Sequence, residues 1–396
     1  MRPETLRLAQ MLILVGLSLT LAMPQFLSGV MAETSWWDLR VYLSAIRFYQ
    51  EGGNPYLRGF PDLRYIYAPL VTWIWALILP ILPQVLPAFY LAAAAAFLTL
   101  ERGRFALAAL LTGGVHLSGG TPLFSAVWSG NTSLFLHFAI IACALHRPWL
   151  VTRVLFYGLV VGASLIKPFF AAYLLAPMLI DNRFARADIF RLLAATGLSA
   201  ALWLVQFMID PDLFRSFLDA LRMQSFGVAF DPAYSDMGAG FYRGWALLSG
   251  DFLLAGSLHF VTAAALIWLW ISIARPGLLA TGFGAELPVF RIVPLVLVIL
   301  LNPRLKIYDY AALEILLVYL LVMFEMPKSN HWYAWMHPLI PLLVIHICTD
   351  LYRARFAKTA FTDVIELLAV HGALLITALY YGLFLHSRRP KKPARA

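Results

Sequence analysis

Residues 155–180 read LFYGLVVGASLIKPFFAAYLLAPMLI, an apolar run of 26 residues interrupted by a single charge, Lys167. A bilayer's hydrocarbon core, ~30 Å thick, is crossed by about 20 apolar residues in a helix, so this run is long enough to span it. Comparable runs lie near Leu8–Val30, Ile66–Leu82, Pro87–Leu100, Phe105–Leu117, Ser133–Leu145, Leu192–Met208 and Ala246–Ile273. The last four lie near Pro288–Leu301, Ala311–Phe324, Met336–Ile347 and Val364–Phe384. A tight turn at Pro83-Gln84 separates the second run from the third.

Composition agrees. The chain has 396 residues, 61% hydrophobic and 13% charged, with mean hydropathy +0.77. Soluble domains carry about 25% charge. About 240 apolar residues suffice for roughly ten to twelve spans. This excludes a soluble enzyme with one anchor, and an outer-membrane barrel, whose strands alternate in polarity. The expected fold is an all-α polytopic membrane protein of about 11–12 transmembrane helices, with an amphipathic helix in its first outer loop. Cys143 and Cys348 lie in apolar surroundings, which suits buried thiols better than a disulfide or a metal site.

The net charge of +9 comes from 30 basic and 21 acidic residues. No basic stripe carries interleaved aromatics, so nucleic acid is not the expected partner. In a membrane protein, basic loops set orientation. Arg388, Arg389, Lys391, Lys392 and Arg395 make residues 387–396 a basic cytoplasmic tail, leaving 1–386 as one membrane domain. Arg2 and Arg7 place the N-terminus inside. The first run exceeds the ~7–15 apolar residues of a signal peptide, which favours an uncleaved span. The next loop then faces outward, toward the periplasm in a bacterial inner membrane. Arg183, Arg186 and Arg191 mark a cytoplasmic loop, and the polar segment Asp210–Arg243 falls outside. Arg102, Arg104, Arg353, Arg355 and Lys358 fit this alternation poorly.

The first outer loop is the most informative. Leu39, Tyr42, Leu43, Ile46 and Tyr49 recur at three- and four-residue spacing, giving a helix with one apolar face. Gly52 and Gly53 stop it, and Pro55 prevents its continuation. Trp36 and Trp37 favour the headgroup level, so the helix is expected to lie along the interface. Asp38 falls in its first turn. One reading is compensation of the helix dipole. The other is a carboxylate placed where a lipid headgroup arrives, able to take a proton from an attacking hydroxyl.

The set of elements Asp38-Leu39-Arg40-Val41-Tyr42, Gly53-Asn54-Pro55-Tyr56, and Tyr65-Ile66-Tyr67-Ala68-Pro69-Leu70 resembles glycosyltransferase family 87. Trp128-Ser129-Gly130-Asn131 is similar to that family's Gly-Gln-x-Asn opening of a middle span. Gly162 to Pro168 is similar to its Gly-x-x-x-x-Lys-x-Pro span, with Pro168 one place early. The matches cover about the first half of the chain, in order. The resemblance implies a GT-C-like bundle, a polyprenyl-phosphate sugar donor (mannose in the family), inverting transfer on the outer face, and Asp38 as the base. Two departures bear on acceptor and sugar. Asn131-Thr132 replaces the family's Gln, and Asn302-Pro303-Arg304-Leu305-Lys306-Ile307-Tyr308-Asp309-Tyr310 stands where many relatives carry Ser-Pro and paired His.

Further polar residues are weighed on their own chemistry. A Lys within a span is costly, so Lys167 either snorkels to the interface or meets a donor phosphate. Arg304 and Lys306 offer the same service, or form a positive-inside loop, or pair with Asp309. Cationic side chains and a monophosphate leaving group lessen the need for a divalent ion, so no metal or other cofactor is expected. No Asp-x-Asp pair or His/Glu ligand spacing occurs. Arg40, Tyr42, Tyr56, Asn131 and Asp309 complete the expected substrate pocket. Arg222, Arg243 and nearby aromatics suit sugar stacking or interfacial anchoring. His331 and His337 suit packing, and Glu314 a buried pair. The expected partners are the polyprenyl-phosphate sugar, a lipid or glycan acceptor, and membrane lipid. The rival reading is a lipid or sugar transporter or polyprenyl-lipid flippase, although no paired repeats are visible.

Overall fold

A computed structural model describes residues 37–57, 59–60, 63–99, 130–145, 150–181, 186–223, 240–281, 288–303, 305, 309, 312–313 and 315–316. The expected first span, the runs between 101 and 129 and beyond 317, and the tail 387–396 lie outside them, as do Trp36, Glu314, His331, His337 and Cys348.

The described chain is helical apart from a ladder of two residues per strand, β1 (Gly59–Phe60) against β2 (Leu63–Arg64). Helix α1 spans Trp37–Gln50. It ends as its two glycines require. Gly52 takes φ 85° and donates to the Tyr49 carbonyl, while Gly53 donates to that of Phe48. This is the left-handed cap that glycine forms without a Cβ penalty.

Helices α2 (Pro69–Leu77) and α3 (Leu82–Thr99) follow, bent by 111° across residues 78–81. The break therefore precedes the expected Pro83-Gln84 turn. Pro83 falls in the first turn of α3, where its missing N–H costs no hydrogen bond. Next come α4 (Thr132–Leu145) and α5 (Leu150–Ile166). The opening run is not one continuous helix. Pro168 disfavours helical backbone in the residue before it, and Lys167 is extended at φ −141°, ψ 110°. The chain resumes as a 3-10 helix, Pro168–Leu175, and then α6 (Ala176–Asp181).

Helix α7 (Arg186–Ile209) leads directly into α8 (Pro211–Arg222), whose N-cap Asp210 accepts from the Leu213 N–H at 2.9 Å. The polar segment expected as loop thus contains a helix, with Leu213, Phe217 and Ala220 buried on one face. Helices α9 (Phe241–Ser249), α10 (Phe252–Thr281) and α11 (Pro288–Leu300) follow. Gly250, left-handed at φ 63°, ends α9 and splits the run expected to start at Ala246.

Two apolar clusters organise these elements. One joins α4, α5, the 3-10 helix, α6 and α11. The other joins α1, residues 65–68, α2, the start of α3 and α8. Helices α7 and α10 (over Phe252–Ser272) are long and apolar enough to cross a membrane, and the bent α2–α3 pair makes a third if counted as one span. Both helices expose large apolar side chains, among them Leu193, Leu204 and Met208 on α7, and Leu253, Phe260 and Trp268 on α10. Faces of this kind suit lipid rather than water.

Candidate active site

Asp38 sits in the first turn of α1, where the unpaired N–H groups of a helix favour an anion. It is 9% exposed. Its Oδ2 accepts from the Asn131 amide nitrogen at 2.5 Å. Asn131 is held just ahead of α4: Gly130 turns the chain with φ 66°, and the Asn131 Oδ1 caps α4 by accepting from the Ser133 N–H at 2.9 Å. The Tyr90 hydroxyl on α3 donates to the Gly130 carbonyl at 2.7 Å, and its ring stacks on Phe135 at 4.1 Å.

Lys167 completes the group. Its Nζ donates to the Asn131 Oδ1 at 2.8 Å and to the Ser133 Oγ. The break at Pro168 places that ammonium at the end of α5, buried to the same degree as Asp38. Thus Asp38 and Lys167, remote in sequence, are joined by one amide. Lys167 has these internal partners rather than a snorkelling path.

An aromatic support lies behind Asp38. The Tyr67 hydroxyl donates to that of Tyr42 at 2.5 Å, and the Tyr42 ring packs on Trp75 at 5.2 Å. Tyr56 donates its hydroxyl to the Tyr67 carbonyl at 2.7 Å, and Tyr65 bonds to Thr72. Burial, and then the charge of Asp38, push the Tyr42 phenol well up; burial likewise raises Tyr56 and Tyr65. Tyr42 and Tyr56 are 2% and 1% exposed. Their hydroxyls are engaged in holding α1 rather than presented to a ligand, which corrects the expectation that they line the pocket. Asn54 extends the support by donating to the Ser216 hydroxyl of α8 at 2.8 Å. Arg40 is half-buried on the same helix as Asp38.

Asp309 belongs elsewhere. Its Oδ1 lies 3.3 Å from the His137 Nε2, and the His137 Nδ1 lies 2.7 Å from the Tyr173 hydroxyl. A neutral imidazole with its proton on Nε2 satisfies both contacts, donating to the carboxylate and accepting from the phenol. Ser133 and His137 are four residues apart on α4, and hence on one face of it. The His137 cluster is therefore a second polar layer about one helical turn from the first. Ser133, His137 and Tyr173 were not expected from the sequence. Each is an isolated polar residue in an apolar run, with no spacing to set it apart.

Arg304 and Lys306 lie outside the described residues. Their described neighbours Asn302, Leu305 and Asp309 are buried at 2%, 0% and 0% exposure. Those three positions therefore sit inside the protein rather than on an exposed loop. Gly240 packs on this stretch so closely that a Cβ there would come within 2.9 Å of the Asn302 carbonyl oxygen. Arg243 is buried too, at 2% exposure, which argues against a role as an interfacial anchor.

The opposite end of α7 carries Asp188, whose Oδ1 accepts from Arg153 at 2.6 Å and Arg191 at 2.8 Å. Arg153 stands near the start of α5 and Lys167 just past its end, about 20 Å apart along the axis. The two ends of the helices thus have distinct chemistry. Among the described residues, no three His, Cys, Asp or Glu side chains gather as a metal site. Comparison of the chain with models of known protein families, with curated proteins and with solved structures finds no match.

Proposed function

We propose that the protein is an integral membrane glycosyltransferase of GT-C-like architecture. It moves a hexosyl group from a polyprenyl-phosphate donor to a lipid or glycan acceptor on the outer face of a plasma membrane. The observation that carries this reading is the Asp38–Asn131–Lys167 group, which sets a carboxylate two hydrogen bonds from an ammonium.

The two charges suit the two ends of a displacement. Asp38 takes the proton from the acceptor hydroxyl as its oxygen attacks the anomeric carbon. The bond from that carbon to the phosphate oxygen breaks, and its electron pair leaves with the polyprenyl phosphate. Lys167 compensates the charge developing there, aided by Arg304 and Lys306. Attack opposite the leaving group inverts the anomeric centre. A polyprenyl donor is delivered from the bilayer, which suits a site among apolar helices. Mannose as the sugar rests on the family resemblance, and the chemistry itself calls for no metal.

The test is incubation of the purified chain with radiolabelled polyprenyl-phosphate sugars and a membrane lipid extract, beside Asp38→Asn. Transfer by the wild type, lost in a folded variant, is the expected result. Full turnover by Asp38→Asn removes the base. The rival transporter or flippase draws support from the helix interrupted at Lys167, since broken helices with polar centres also build transport sites. Label that changes leaflet without changing its chemical linkage would favour it.

A further inference from the structure

Two opposite charges buried side by side ordinarily close into a contact pair, because each loses water and the other is its best replacement. Asp38 and Lys167 do not close. The Asn131 side chain lies between them, giving its N–H to the carboxylate and its carbonyl oxygen to the ammonium. Three contacts hold that amide in place: the Ser133 N–H on its Oδ1, the left-handed turn at Gly130, and the Tyr90 hydroxyl on the Gly130 carbonyl. Such restraint exceeds what a helix cap needs, since a cap is complete with the Ser133 bond alone.

We propose that Asn131 is a positioning residue that acts as a spacer, keeping Asp38 and Lys167 coupled but out of direct contact. It rests on the reading of Asp38 as base and Lys167 as phosphate partner. A carboxylate in direct contact with an ammonium is a poorer base, and that ammonium is less available to a leaving phosphate. The spacer keeps both usable within one small site.

The other titratable or charged groups around Asp38 are Arg40 and Tyr42 on its own helix, Tyr67 ahead of α2 and Tyr90 on α3. Tyr42 lies against the carboxylate electrostatically and against Tyr67 by hydrogen bond. An arginine and three phenols keep a constant charge through the acid range. Over that range the titration of Asp38 reports on Lys167.

The experiment uses the full chain in lipid nanodiscs, with carbon-13 in its Asp carboxyl groups, and Asp38→Asn as the spectral subtraction. Infrared spectra give the midpoint of Asp38 protonation. Asn131→Ser retains a capping hydroxyl but is too short to bridge. Lys167 then swings onto Asp38, and the midpoint falls by about one pH unit or more, within the range for a newly contacting opposite charge. The fall disappears when Asn131→Ser is made in a Lys167→Met background. A midpoint that rises makes Asn131 a plain donor to the carboxylate and overturns the spacer; so does one that stays, or a fall that persists without Lys167. Should Asn131→Ser fail to fold, Tyr90→Phe loosens the Gly130 turn with the cap intact, and the same signs apply. The readout needs no turnover, so a chain that transfers no sugar yet shows the shift refutes the transferase and leaves the spacer standing.

Discussion

Asp38 and Lys167 lead to opposite kinetic expectations. Removing a base that acts only in the transition state lowers kcat, whereas removing a phosphate contact also weakens donor binding. Asp38→Asn is therefore expected to lower kcat by about 10²–10⁴-fold with the donor KM little changed. Lys167→Met is expected to raise KM and lower kcat together. Initial rates against donor concentration separate the two, and identical signatures would argue that the residues act only as a structural pair. A second expectation concerns alkali. Tyr42, Tyr56 and Tyr65 all have raised phenol pKa values in the folded chain. The unfolded chain releases those protons near pH 10 while the folded chain keeps them. Stability is thus fully present below about pH 10 and is lost as pH rises beyond it. Thermal melts from pH 8 to 11 should fall steeply at the top of the range, and less steeply in Tyr65→Phe. Of these residues, Asp38 was legible because it opens a periodic helix next to a Gly-Gly stop. Its bond to Asn131 was not legible, because a contact between distant segments leaves no trace in local spacing.

At the scale of elements, the second polar layer is where stability should be most sensitive. His137, Tyr173 and Asp309 are all buried at 2% exposure or less. Removing the imidazole leaves a buried carboxylate short of a partner, a change that costs about 3–5 kcal/mol where a pair is broken. His137→Ala should therefore unfold at markedly lower temperature than wild type, and His137→Ala with Asp309→Leu should recover part of the loss. Gly240→Ala probes the same region from the other side, because its Cβ would meet a backbone oxygen rather than a flexible side chain. Melting followed by fluorescence-detected size exclusion ranks the three; a double variant no better than the single would show that His137 is not there for Asp309. The sequence allowed the helix break at Lys167 to be anticipated, since Pro168 restricts its predecessor, yet the apolar run on both sides masked it. Helix α8 was hidden for the opposite reason: its many charges resemble a loop until the buried spacing of Leu213, Phe217 and Ala220 is seen.

On the scale of the molecule, the described helices have unlike ends. Arg153 and Arg191 gather on Asp188 at one end of α7, whereas Asp210 at the other end starts α8, which packs against α1, α2 and the tyrosine support. Along 24 residues these ends stand about 36 Å apart, slightly more than the ~30 Å hydrocarbon core. If basic residues mark the inner side, α8 and Asp38 share the outer side, where a donor and acceptor would meet. Paired cysteines test this directly. Arg215 on α8 is 66% exposed at its side chain and Arg186 at the start of α7 is also exposed. Arg215→Cys in intact cells should react with a membrane-impermeant maleimide, and Arg186→Cys only after permeabilisation. The reverse pattern would put Asp38 on the cytoplasmic side and require a donor presented there. Reaction of both in intact cells would mean that α7 does not cross the membrane, and the outer-face transferase would fail with it.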